Sequence, residues 1–150
     1  PNPDGVQRCI RMALADARTA PGEVDAINGH LTATSADPRE VGAWAKALQC
    51  APERLPPITS TKSMVGHLLG AAGAVECIAS LLMLDGGFVH ASLNSEDVHP
   101  ELVPYAASIP HTMRAMPQLR TIIKAGFGFG DVNACVVFRK WQSPHEENRS

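Results

Sequence analysis

The sequence predicts an α/β fold, with helices packed on a mixed, largely buried sheet that ends in a β-hairpin. Three observations carry that reading. Segments with helical periodicity alternate with short apolar runs suited to buried strands. Two such runs close the chain, joined by a glycine-rich turn. The 150 residues are 45% hydrophobic and 19% charged, which excludes intrinsic disorder and suits one domain or a piece of a larger one.

After a turn-rich lead-in, Val6, Cys9, Ile10, Met12, Ala13 and Leu14 recur at helical spacing, and Pro21-Gly22 ends the segment. Residues 24–28 form an apolar run read as a buried strand. Asp37-Pro38-Arg39-Glu40 is a helix start: Asp37 as cap, Pro38 in the first turn, Glu40 closing a capping box. That helix should run to about Leu48, with Val41, Trp44, Ala45 and Leu48 inward. Pro56-Pro57 precedes a second strand over residues 58–61. Residues 66–84 are the longest apolar segment and read as a buried central helix, where Gly66, Gly70 and Gly73 admit another backbone. A membrane span fits it poorly, because it carries Glu76 and lacks a basic flank at its C-terminal side. Residues 88–117 read as irregular. Strands over 121–124 and 133–139 flank Gly126-Phe127-Gly128-Phe129-Gly130, and residues 142–150 form a loose polar tail.

Thirteen basic and 15 acidic residues give a net charge of -2, which provides no general basic surface for nucleic acid or anionic lipid. Cys9, Cys50, Cys77 and Cys135 are far apart, without zinc or disulfide spacing, so a reducing, cytoplasmic setting is expected. The chain opens on Pro1 with no visible leader, and a fragment of a longer protein is the expectation.

His30 follows the first strand and Lys62 the second, at the edge where open α/β sheets place their ligand crevices. His67 comes five residues after Lys62. Each has a plain structural reading as well: a hydrogen-bonded framework histidine, or a lysine paired with Glu40 or Glu76. A metal site is not expected, since His30 and His67 have no third ligand at a recognisable spacing. The Gly-Phe-Gly-Phe-Gly run is not a dinucleotide fingerprint, because a strand-like alternation follows it. It reads equally as a hairpin turn needing positive backbone angles or as a set of amides facing an oxyanion. His90, His99, His111 and His145 are expected at the surface.

Taken together, Asn28-Gly29-His30-Leu31-Thr32-Ala33-Thr34, the block from Lys62 through Gly66-His67 to Gly70-Ala71-Ala72-Gly73, and Phe127-Gly128-Phe129-Gly130-Asp131-Val132-Asn133 resemble the β-ketoacyl-acyl carrier protein synthases. The middle block is the most specific. Lys124-Ala125-Gly126 departs from the family pattern, in which Asn-Ser commonly precedes the Phe, and Leu31 stands where Gly is usual.

The resemblance implies a thiolase-like fold of two similar halves, with residues 1–141 as the C-terminal half lacking its first strand. It implies a 3-oxoacyl-acyl carrier protein synthase of fatty acid or polyketide synthesis, an acyltransferase that condenses an acyl thioester with malonyl-carrier protein. His30, Lys62 and His67 would be catalytic. Phe127, Gly128 and Phe129 would form the oxyanion and gating loop, with Glu40, Thr32 and Thr34 in support. No cofactor is implied beyond the carrier protein's phosphopantetheine. The implied partners are acyl carrier protein, the N-terminal half with the nucleophilic Cys, and a second copy in a homodimer; no nucleic acid or membrane is implied. The alternative is a non-catalytic partner subunit of the chain-length-factor type.

Overall fold

The computed structural model describes residues 2–141, so the expected polar tail and His145 lie outside the described residues. Helix α1 (Pro3–Asp16) starts where the Asn2 side chain accepts the Asp4 amide, with Pro3 in its first turn. Val6, Ile10 and Leu14, four residues apart, form its inner stripe. Strand β1 (Ala26–Asn28) and strand β2 (Ile58–Thr59) flank helix α2 (Asp37–Ala47). A short helix α3 (Lys62–Val65) leads by a tight turn into helix α4 (Ala72–Gly86).

The main sheet has the order β2-β1-β5-β6, where β5 is Thr121–Phe127 and β6 is Asn133–Arg139. Strand β1 runs parallel to both β2 and β5, and β5 and β6 form the expected antiparallel hairpin. The sheet is therefore mixed. Helices α1 and α2 cover the face carrying Ile27, Ile58, Ile123 and Ala125. Helix α4 lies on the other face, with Ala26, Ile122, Met83 and Leu84 between them.

Several expectations change. The irregular stretch after residue 88 contains two short antiparallel strands, β3 (Phe88–Val89) and β4 (Arg114–Ala115), and a 3-10 segment Pro100–Ser108. Strand β5 continues through Phe127, because Ala125 and Phe127 go on pairing with β6 and pack in the core. The apolar segment is not helical throughout, since α4 begins only at Ala72. Nor is it fully buried: Ile78, Leu81 and Leu82 are exposed while Glu76 and Ser80 face inward. By length and composition Leu69–Gly86 is apolar enough to cross a membrane, yet its inward face carries the buried acid Glu76 and Ser80 beside Met83 and Leu84. The glycines do not admit a neighbour either, because a Cβ on Gly66, Gly70 or Gly73 would meet nothing within 4 Å.

Candidate active site

The parallel strands deliver their following residues to one edge. His30 leaves β1, Lys62 leaves β2, and Phe127 ends β5 beside them. Rings of His30 and His67 meet edge to face with centroids 5.5 Å apart, and His30 lies 6.2 Å from the Phe127 ring. Phe127 is buried and also approaches Trp44 at 6.3 Å. Thr32, Lys62, Ser63 and His67 line one cleft of about 360 Å³, with Ser92 and Ile109.

Helix α2 holds the His30 loop with both acids of its first turn, and neither caps the helix as expected. Asp37 accepts the amides of Thr32 and Ala33 at 3.1 and 3.0 Å, and that of Thr34 at 3.4 Å. Glu40 accepts the amides of His30 and Leu31 at 2.7 and 3.0 Å and the Trp44 indole N–H at 3.3 Å. Gly29 makes this possible, since a Cβ there would stand 2.9 Å from Glu40 Oε1. Thr32 and Thr34 share a hydroxyl contact of 3.1 Å, and Thr34 receives the Ala36 amide. Burial pushes the Glu40 carboxyl up to about 7, against the hydrogen bonds that favour its charged form.

The partner of Lys62 is therefore Glu76 and not Glu40. Glu76 is almost fully buried on the inner face of α4, and its second oxygen lies 2.9 Å from the Lys124 ammonium. Sequence reading missed Glu76 and Lys124 as site residues. Their signal was a lone acid in the longest apolar run and a lone lysine in an apolar strand.

His67 has a defined tautomer. Its Nδ1 accepts the Leu69 amide at 3.1 Å, so the proton of the neutral ring sits on Nε2. His30 is held neutral: burial, then the Lys62 charge, with smaller contributions from His67 and Lys124, lower its pKa to about 4 against the pull of Glu76. His90, expected at the surface, is buried and bridges Thr59 and Thr61 at 3.0 and 3.1 Å. Thr61 continues to Asn28, whose amide also reaches Ser80 and the Glu76 carbonyl. This buried network fixes the strand ends that carry the site. Among the described residues, His30 and His67 meet without a third metal-ligating side chain.

At the hairpin, the Gly128 amide donates to the Val132 carbonyl at 2.8 Å, and Gly130 and Asp131 adopt φ of 71° and 60°. The positive angles expected of the turn are present. Phe129 is fully exposed at its tip.

The ends of the parallel strands and the segment before α4 thus gather two histidines beside a buried Lys–Glu pair. The chain matches the beta-ketoacyl synthase C-terminal domain over residues 1–96, and it belongs to that family. It is 37% identical over 142 residues to 3-oxoacyl-[acyl-carrier-protein] synthase 1 of Haemophilus influenzae, covering 94% of this chain and 33% of that protein. It is 36% identical over 138 residues to 3-oxoacyl-[acyl-carrier-protein] synthase 2 of Rhizobium meliloti, covering 92% and 32%. Among solved structures, the ishigamide ketosynthase/chain length factor superposes with a TM-score of 0.86 at 31% identity, covering 95% of this chain and 34% of that one. The fold is the thiolase-like fold of ketosynthases. The chain spans about a third of the length of the curated relatives it matches.

Proposed function

We propose that residues 1–141 are the C-terminal half, short of its first strand, of a 3-oxoacyl-acyl carrier protein synthase, and that this half stabilises the enolate in decarboxylative condensation. The observation that carries the reading is the histidine pair: His67 fixed with its proton on Nε2, edge to face with a neutral His30.

The acyl group sits as a thioester on a Cys of the N-terminal half. Malonyl-carrier protein loses carbon dioxide, and the electron pair of the broken C–C bond becomes a thioester enolate. Neutral His30 and His67 donate hydrogen bonds to that oxygen as charge develops. Once the other half excludes water, each donor lowers the barrier by about 3 kcal/mol. The enolate carbon then attacks the acyl carbonyl and the cysteine thiolate leaves. The Phe127 amide, with the Gly128–Phe129 turn, supports the oxyanion of that second step, and the Phe127 ring gates the acyl pocket. Lys62, held by Glu76, sets the field around both histidines. Thr32, whose amide Asp37 holds, lines the cleft, and Thr34 supports it through their shared hydroxyl contact.

On this reading the partners are acyl carrier protein, the N-terminal half and a second copy, the protein needs no resident cofactor, and it works in the cytoplasm. A non-catalytic chain-length-factor role is the second reading, favoured by the likeness to a ketosynthase/chain length factor. The pairing of His30, Lys62 and His67 argues for the enzyme, and the residue at the upstream Cys position separates the two. The test is decarboxylation of malonyl-carrier protein by the full-length protein. His67→Ala should abolish it, and an unchanged rate removes His67 from the chemistry. The 150-residue chain by itself should show no condensation.

A further inference from the structure

Strand β5 carries one charged side chain, Lys124, in an otherwise apolar run. It projects to the α4 face of the sheet, as Ile122 does two residues earlier. The side chain is only 7% exposed, and its ammonium lies 2.9 Å from Glu76 Oε2 while Lys62 holds Oε1. Residue 126 leaves room for it, since a Cβ on Gly126 would stand 3.2 Å from Lys124 Nζ.

One carboxylate between two ammonium groups leaves one positive charge uncompensated. A buried cation without a partner is costly, and an anion arriving beside it recovers that cost. The groups facing His30 are His67 from the turn before α4, Lys62 from α3, Glu76 from α4 and Lys124 from β5, with Glu40 of α2 on its backbone amide. We infer that Lys124 is a positioning residue for the condensing site: it clamps the second oxygen of Glu76, fixes the carboxylate that holds Lys62, and leaves the site positive where the enolate forms. This rests on the ketosynthase reading above.

The test follows the His30 ring by NMR titration in the full-length protein, beside steady-state decarboxylation of a malonyl thioester. Lys124→Met removes the uncompensated charge, and the His30 pKa should rise by a few tenths of a unit, about a twofold change in its proton equilibrium. Its kcat should fall about 10- to 100-fold with KM changed less than about threefold, as expected for a displaced catalytic group. Lys124→Arg keeps the charge, and should return kcat to within about fivefold of the wild type. The paired variant Glu76→Gln/Lys124→Met again leaves one uncompensated lysine. Its His30 should titrate no higher than in the wild type while kcat stays low, and it serves where the single variant does not fold. A Lys124→Met protein with kcat within about twofold of the wild type and an unmoved His30 titration overturns the inference. A His30 titration raised above the wild type in the paired variant overturns it too. Absence of decarboxylation in the wild type refutes the ketosynthase reading, while the titrations still judge the lysine.

Discussion

The helices on the two faces of the sheet bury opposite kinds of side chain. On the α1–α2 face the interior is apolar: Ile10, Trp44, Ile27 and Ile58 are fully buried, and the buried acid there, Glu40, spends its oxygens on amides and an indole. On the α4 face a smaller apolar cluster around Met83 and Ile122 adjoins an ionic and polar interior, with Glu76, Lys62, Lys124, Asn28, Ser80 and His90 all buried. Helix α4 then carries Ile78, Leu81 and Leu82 on its outer surface. One face gains its stability from apolar burial, and the other uses its interior to hold charges for a site. Three neighbouring exposed aliphatic side chains on one helix suit a face that meets a partner. In the proposed assembly that partner is the N-terminal half.

The comparison can be broken in several ways. Trp44→Ala should cost the most, about 3–5 kcal/mol in denaturant unfolding, because it opens a cavity in the apolar layer. A loss below about 1 kcal/mol would mean that this layer is not the stabilising one. Glu76→Ala leaves two buried lysines facing each other and should cost about 3 kcal/mol or more. The paired variant Glu76→Gln/Lys124→Met should recover much of that loss, and a strictly additive loss would show that the charges do not interact.

Glu40 separates the layers by pH. Its carboxyl is raised by burial to about 7 from an ordinary value of 4.5. The folded state therefore binds the extra proton between those values, and stability should fall as pH rises through that window, by about 3 kcal/mol or slightly more. Glu40→Gln should flatten the slope, and a slope that survives assigns the titration to another group. The smallest effect belongs to the outer surface: Leu82→Gln should change the stability of the 150-residue chain by less than about 0.5 kcal/mol. A loss of several times that would show that α4 is already covered.

How much was legible beforehand follows the same division. The α1 stripe of Val6, Ile10 and Leu14 and the inward face of α2 are periodic, so their burial could be read directly. His30, Lys62, His67 and Phe127 were legible because they follow strands or carry motif spacing, and the structure brings them to one edge. Asp37 and Glu40 misled because a capping box and a grip on a distant loop use the same residues. Only the position of residues 30–34 decides which amides the carboxylates meet. Helix α4 misled because high mean hydropathy does not say which face is inward. Glu76 and Lys124 stood out as charges in apolar surroundings, but 48 residues of separation hid that they are partners.

Taken alone, the sequence determined the alternation of helices and strands, the hairpin, and the residue types available at the strand ends, because these depend on periodicity, turn chemistry and local spacing. The tertiary structure decided which carboxylate serves Lys62, which tautomer His67 adopts, and which surface of α4 faces out. Those outcomes depend on groups far apart in the chain meeting in a low-dielectric interior, where a buried charge must find a partner wherever the fold supplies one.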